Sequence, residues 1–255
     1  MAINSYFVCV VIIFMSCVFA VLGLLLVRRA VSFEKLRASH EVGGYLLSVV
    51  GTLYGVVLGL VVVDAMQHYQ TASDIVERES NNLADVFILA KQLPEPRRTI
   101  VRNLCRSYAE QVLDTEWEQM RCSSYCPVAR TKAVDLMQAL MNFEPKSEND
   151  KVIYPRLIEE ASQFWQNRQA RIKIAGKGLP AAEWTALIVG ALILVMFTYL
   201  FGLENWRLQV LMTTLVSMLI SLNLIMLLLF AYPFSGDLGL APDAFTSLQE
   251  IFMSK

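Results

Sequence analysis

Charge is missing from four long stretches of this 255-residue chain, and histidine is nearly missing from all of it. The uncharged stretches lie within Met1–Val27, Gly43–Val63, Trp184–Leu203 and Leu208–Ser235. A water-soluble chain seldom leaves four such runs without charge. His40 and His68 are the only histidines, and a zinc site at Cys122 and Cys126 would need more ligands than lie near them in sequence. There is no basic excess: 22 Lys and Arg face 23 Asp and Glu, which argues against a nucleic-acid partner. No strand alternation or internal repeat stands out. No nucleophile–base pair, phosphate loop or metal triad is visible either, so neither an enzyme nor a cofactor is expected.

What is present is apolar and helical. Each uncharged run reaches about 20 residues, enough to cross roughly 30 Å of hydrocarbon as a helix. Without water, the backbone must bond to itself, and a helix does so. The expected fold class is an all-α membrane protein with four transmembrane helices in a two-plus-two order. A helical soluble insert separates spans 2 and 3. Residues 1–63 hold spans 1 and 2, 64–183 the insert, 184–235 spans 3 and 4, and 236–255 a C-terminal tail. Of the 45 charged residues, 33 fall between Asp64 and Glu183. The first run lacks the basic start of a signal peptide and is long for its apolar core. Val18-Phe19-Ala20 is only a weak cleavage match, so a retained span is expected.

No Pro or Gly interrupts Val61–Leu93, which predicts that the second span continues as a helix beyond the bilayer. Leu83, Phe87 and Ala90 share its apolar face, and Pro94-Glu95-Pro96 ends it. A helix over Arg97–Met120 carries Val101, Leu104, Cys105, Tyr108, Val112 and Leu113 on one stripe. A third covers Ala129–Phe143, and a fourth starts near Pro155 and runs towards Ile174. Cys9 and Cys17 read as apolar fillers of the first span. Cys122 and Cys126 flank a loop and could form a disulfide if that loop is extracytoplasmic.

The second span carries the most structured pattern. Gly51, Gly55 and Gly59 recur every four residues, so another backbone can approach that face. Packing alone is one reading. The other is a ring of such helices around a pore, with Leu53 and Tyr54 as bulky neighbours and apolar side chains gating by dewetting. Asp64 closes the span, as an ion-attracting ring or simply as an interface marker. Asn223 lies inside the fourth span, for an interhelical hydrogen bond or a polar pathway. Trp184 and Trp206 suit an aromatic belt. No ionisable residue lies deep in a span, which weakens a proton-relay model. Glu116-Trp117-Glu118 and Arg168-x-x-Arg171 read as ionic pairing within the insert.

In order along the chain, several short motifs resemble the bacterial bestrophin-like domain family. They are His40-Glu41-Val42-Gly43-Gly44-Tyr45, Gly51-x-x-Tyr54, and Ala72 with Glu77 and Glu79. Next come Tyr108 with Glu116-Trp117, then Arg168, Arg171 and Leu179-Pro180. Last is Pro233-Phe234-Ser235-Gly236, with Pro242 and Phe245. That family is similar to the bestrophin anion channels, which are pentamers whose second span lines a pore with an apolar neck. The resemblance implies a homo-oligomeric channel for small inorganic anions such as chloride, lined by a face of Tyr45–Val63 and the helix beyond Asp64. The acidic calcium cluster of animal bestrophins is not evident, since the tail offers only Asp237, Asp243 and Glu250.

Positive charges are nearly tied across the membrane. Arg28, Arg29, Lys35, Arg37 and Arg207 lie on one side, and Arg78, Arg168, Arg171, Lys173, Lys177 and Lys255 on the other. The uncharged N-terminal stub followed by Arg28-Arg29 favours a periplasmic insert. The resemblance implies instead a bacterial inner-membrane protein with a cytoplasmic insert, which is the expectation. Two other functions fit the layout. One is a membrane-anchored sensor or scaffold acting through the insert. The other is a stator-like proton channel, whose motifs are absent.

Overall fold

A computed structural model describes residues 5–31, 40–121, 127–201, 203, 205–235 and 239–253. All regular structure among these residues is helical. The helices are α1 (Ser5–Ala30), α2 (His40–Leu89), α3 (Arg97–Gln111), α4 (Trp117–Arg121), α5 (Pro127–Met141), α6 (Glu148–Ala175), α7 (Ala181–Tyr199), α8 (Trp206–Ala231) and α9 (Asp243–Met253). The first part of α2, with α1, α7 and α8, is long and apolar enough to span a membrane. This is an all-α membrane protein with four transmembrane helices and a helical insert. The chain divides into two compact units: Met1–His68 with Leu179–Ala231, and Tyr69–Gly178 with Tyr232–Lys255.

In the membrane unit, α1 packs along α8. Apolar burial gains little in lipid, so close packing and hydrogen bonds must hold helices together. Ser16 Oγ lies 2.6 Å from Ser221 Oγ. Cys17 donates to the Thr214 carbonyl, and Thr213 donates to Thr198 Oγ1 on α7 at 3.2 Å. Tyr199 fills the space beside Gly23, where a Cβ would come within 2.6 Å of its hydroxyl oxygen. The membrane half of α2 joins an apolar cluster through Tyr54, Leu58 and Ala65, with Leu187, Ala191 and Leu194 of α7.

The second unit has a conventional buried core. Leu83, Phe87 and Ala90 are buried, as their spacing predicts. A 3-10 turn, Ala90–Gln92, ends α2 ahead of Pro94. On α3, Val101, Cys105 and Tyr108 are buried, and Val112 continues that stripe. Two expectations need correction. The helix over Arg97–Met120 is not uniform, because Val112–Glu116 form a π-helical turn between α3 and α4. The fourth insert helix starts at Glu148, not near Pro155, which lies inside it. Ser147 and Asp150 form a reciprocal capping box that fixes the earlier start. The C-terminal segment completes this core. Phe252 stacks on Phe87 at 4.3 Å, Arg106 donates to the Phe252 carbonyl, and Ser80 donates to the Ala244 carbonyl.

Candidate functional site

Two features concentrate the candidate residues: the membrane half of α2, and a buried charge cluster in the second unit. Along α2, Leu46, Val49, Leu53, Val56, Leu60 and Val63 recur at intervals of three and four, and all are exposed. They form one apolar stripe on an α-helix. Tyr45 is 78% exposed and lies beside its start. A Cβ at Gly55 or Gly59 would meet nothing within 4 Å, and one at Gly51 would touch only Leu194 at 3.8 Å. Gly55 and Gly59 are therefore uncovered within the protomer, whereas Gly51 lies against Leu194.

Tyr54 points the other way. It is buried, its hydroxyl donates to the Leu187 carbonyl at 3.2 Å, and its ring lies over Gly190. A Cβ at Gly190 would fall 2.6 Å from that ring, so the glycine permits the close approach. Leu53 and Tyr54 thus occupy opposite surroundings, a difference that spacing alone did not reveal. Asp64 is exposed. Asn223 donates its amide to the Leu219 carbonyl of its own helix at 2.9 Å, rather than to a neighbouring helix. The serine and threonine hydroxyls make the interhelical bonds instead.

In the second unit, Glu79 of α2, Glu116 of the π turn, and Arg168 and Arg171 of α6 are all fully or nearly fully buried. Arg171 Nε and Nη2 donate to the two oxygens of Glu79 at 2.6 and 3.0 Å. The same Nη2 donates to Glu116 Oε1 at 2.6 Å. Arg168 Nη2 donates to Glu116 Oε2 at 2.7 Å. Tyr108 donates its hydroxyl to Glu79. Burial opposes the Arg171 cation most strongly, but Glu79, Tyr108 and Glu116 together hold the guanidinium well above its usual pKa. Burial, then the charge on Glu79, pushes the Tyr108 phenol up, so it remains a donor. The two carboxylates and two guanidiniums balance, as buried charges must.

This cluster was partly legible. Glu116 and the two arginines were expected to pair, but the central role of Glu79 was not foreseen. The signal was its register: Ala72, Val76, Glu79 and Leu83 lie on one buried stripe. Trp117 caps the cluster edge and donates Nε1 to the Leu240 carbonyl at 3.1 Å. Pro233 is buried, and its carbonyl accepts from the Leu240 amide at 2.7 Å. Gly236, Cys122 and Cys126 lie outside the described residues. Cys9, Cys17 and Cys105 are free thiols. Among the described residues, no group of three or more metal-ligating side chains occurs.

No curated protein matches the sequence. Solved structures do match in fold. Three variants of a bacterial bestrophin homolog from Klebsiella pneumoniae align with TM-scores of 0.70, 0.69 and 0.67. They are 11%, 10% and 9% identical in sequence. The alignments cover 95%, 94% and 96% of this chain, and 99%, 97% and 97% of those chains. At that identity the likeness establishes the fold. The sequence model of the Bestrophin-like domain matches residues 14–245, nearly the whole chain, and on that match the chain belongs to the bestrophin-like family.

Proposed function

We propose that this protein is a homo-pentameric channel for small anions in the bacterial inner membrane, with its insert in the cytoplasm. The observation that carries this reading is the uncovered face of α2. Leu46, Val49, Leu53, Val56, Leu60 and Val63 all stay exposed in the protomer. Tyr54, Leu58 and Ala65 anchor the helix to its own bundle, which leaves the opposite stripe for something else. In a ring of copies, Leu53, Val56 and Leu60 line an apolar neck, and Gly55 and Gly59 admit the neighbouring helix. Asp64 then stands at the end of the neck. The family and the shared fold favour this arrangement over a scaffold.

The test is thiol accessibility in proteoliposomes. Leu60→Cys should react with a charged, water-soluble thiosulfonate and lose chloride flux. Leu58→Cys, whose position is buried, should not react. An inert Leu60→Cys in a conducting protein would remove this stripe from the pore.

A further inference from the structure

Outside both features lies a polar pocket of about 220 Å³ between α2 and α6. Arg78, Asn81 and Asn82 line it from α2, and Gln163, Gln166 and Asn167 from α6. Every lining side chain is polar, and none is a carboxylate. Arg78 has no hydrogen-bond or ion-pair partner among the described residues.

Hydrogen-bond accounting shows what remains unused. Asn82 Oδ1 accepts from Asn167 Nδ2 at 2.8 Å. Asn82 Nδ2 donates to Gln163 Oε1 at 3.3 Å and to Glu160 at 2.7 Å. These bonds consume two amide oxygens, and Gln166 spends Nε2 on Ser162 Oγ at 3.3 Å. Gln163 Nε2, the second Asn167 N–H and the Arg78 guanidinium remain as donors, beside the Asn81 amide and the oxygens of Gln166 and Asn167. Glu160 is buried, shares Arg156 with Glu159, and does not line the pocket. Asp74 and Asp85 lie one turn beyond Arg78 and Asn81 on α2, and neither lines the pocket.

We infer that this pocket is a binding site for a small inorganic anion, held by Arg78 and the amide N–H groups of Gln163 and Asn167. A guanidinium supplies charge, and amides replace part of the hydration shell without the penalty of a fully buried ion. An exchangeable anion is the ligand that a shallow site with Arg78 as its one charged lining residue would take. The site stands independently of conduction through α2.

The probe is bromide, soaked into crystals of the full-length assembly and located by its anomalous scattering. The expected result is a peak within hydrogen-bond distance of Arg78, lost in Arg78→Gln and retained in Arg78→Lys. No peak in the wild type, or an equal peak in Arg78→Gln, would overturn the site. Chloride flux is measured on the same variants. Intact flux with no bromide peak sinks this site alone, whereas a peak without flux supports it and sinks the channel reading.

Discussion

Arg171 shows how a charge survives in the interior of a helical bundle. Its guanidinium bonds both oxygens of Glu79 and one of Glu116, and its Nη1 lies 2.7 Å from Met120 Sδ. A buried ion pair adds little net stability over apolar packing, but a broken one is costly. The cluster therefore reads as a device that fixes which faces of α2, α3, the π turn and α6 meet. Arg171→Met leaves two carboxylates with one guanidinium. It should destabilise the protein by about 3–5 kcal/mol, measured as a lower denaturation midpoint in detergent. A midpoint close to wild type would show that the cluster is not needed for the fold. Arg171→Lys should recover only part of the loss, because a lysine cannot present the bidentate fork.

At the scale of elements, the start of α6 is set by a local hydrogen-bonded cap. Asp150 accepts from the backbone amides of Ser147 and Lys146, and Ser147 Oγ accepts from the Asp150 amide. Hydrogen bonds from Ser147 hold the Asp150 carboxyl below its usual pKa. A depressed carboxylate contributes stability above its unfolded pKa and loses it as the pH falls through the folded value. Asp150→Ala should therefore lower thermal stability near neutral pH and flatten the acid limb below the ordinary carboxylate range. An unchanged acid limb would mean that other carboxylates control it.

The same element shows where sequence reading succeeds and fails. The four spans, the continuation of α2 and its stop before Pro94 were legible, because charge distribution and helical period report them directly. The start of α6 escapes a reading that takes Pro155 as a helix start, because the Ser147-x-x-Asp150 cap lies eight residues before it. The π turn left no mark, since it begins at Val112, where the apolar stripe of α3 ends. The unlike settings of Leu53 and Tyr54 depend on Gly190 and Leu187, more than 130 residues away along the chain. The amide pocket likewise joins residues 85 apart, which no local pattern shows.

At the scale of the whole molecule, the protomer leaves the most apolar part of α2 largely uncovered, whereas the second unit closes its own core. Beside this exposed stripe, Gly55 and Gly59 leave room for a neighbouring helix, in a chain of the bestrophin-like family. The measurement that tests this most directly is the reversal potential of the purified, reconstituted protein in planar bilayers under a chloride gradient. The account predicts discrete currents that reverse near the chloride equilibrium potential. Currents reversing near the cation potential would contradict the anion assignment. An assembled, inserted protein that passes no current over a range of voltage, pH and calcium would contradict the channel itself.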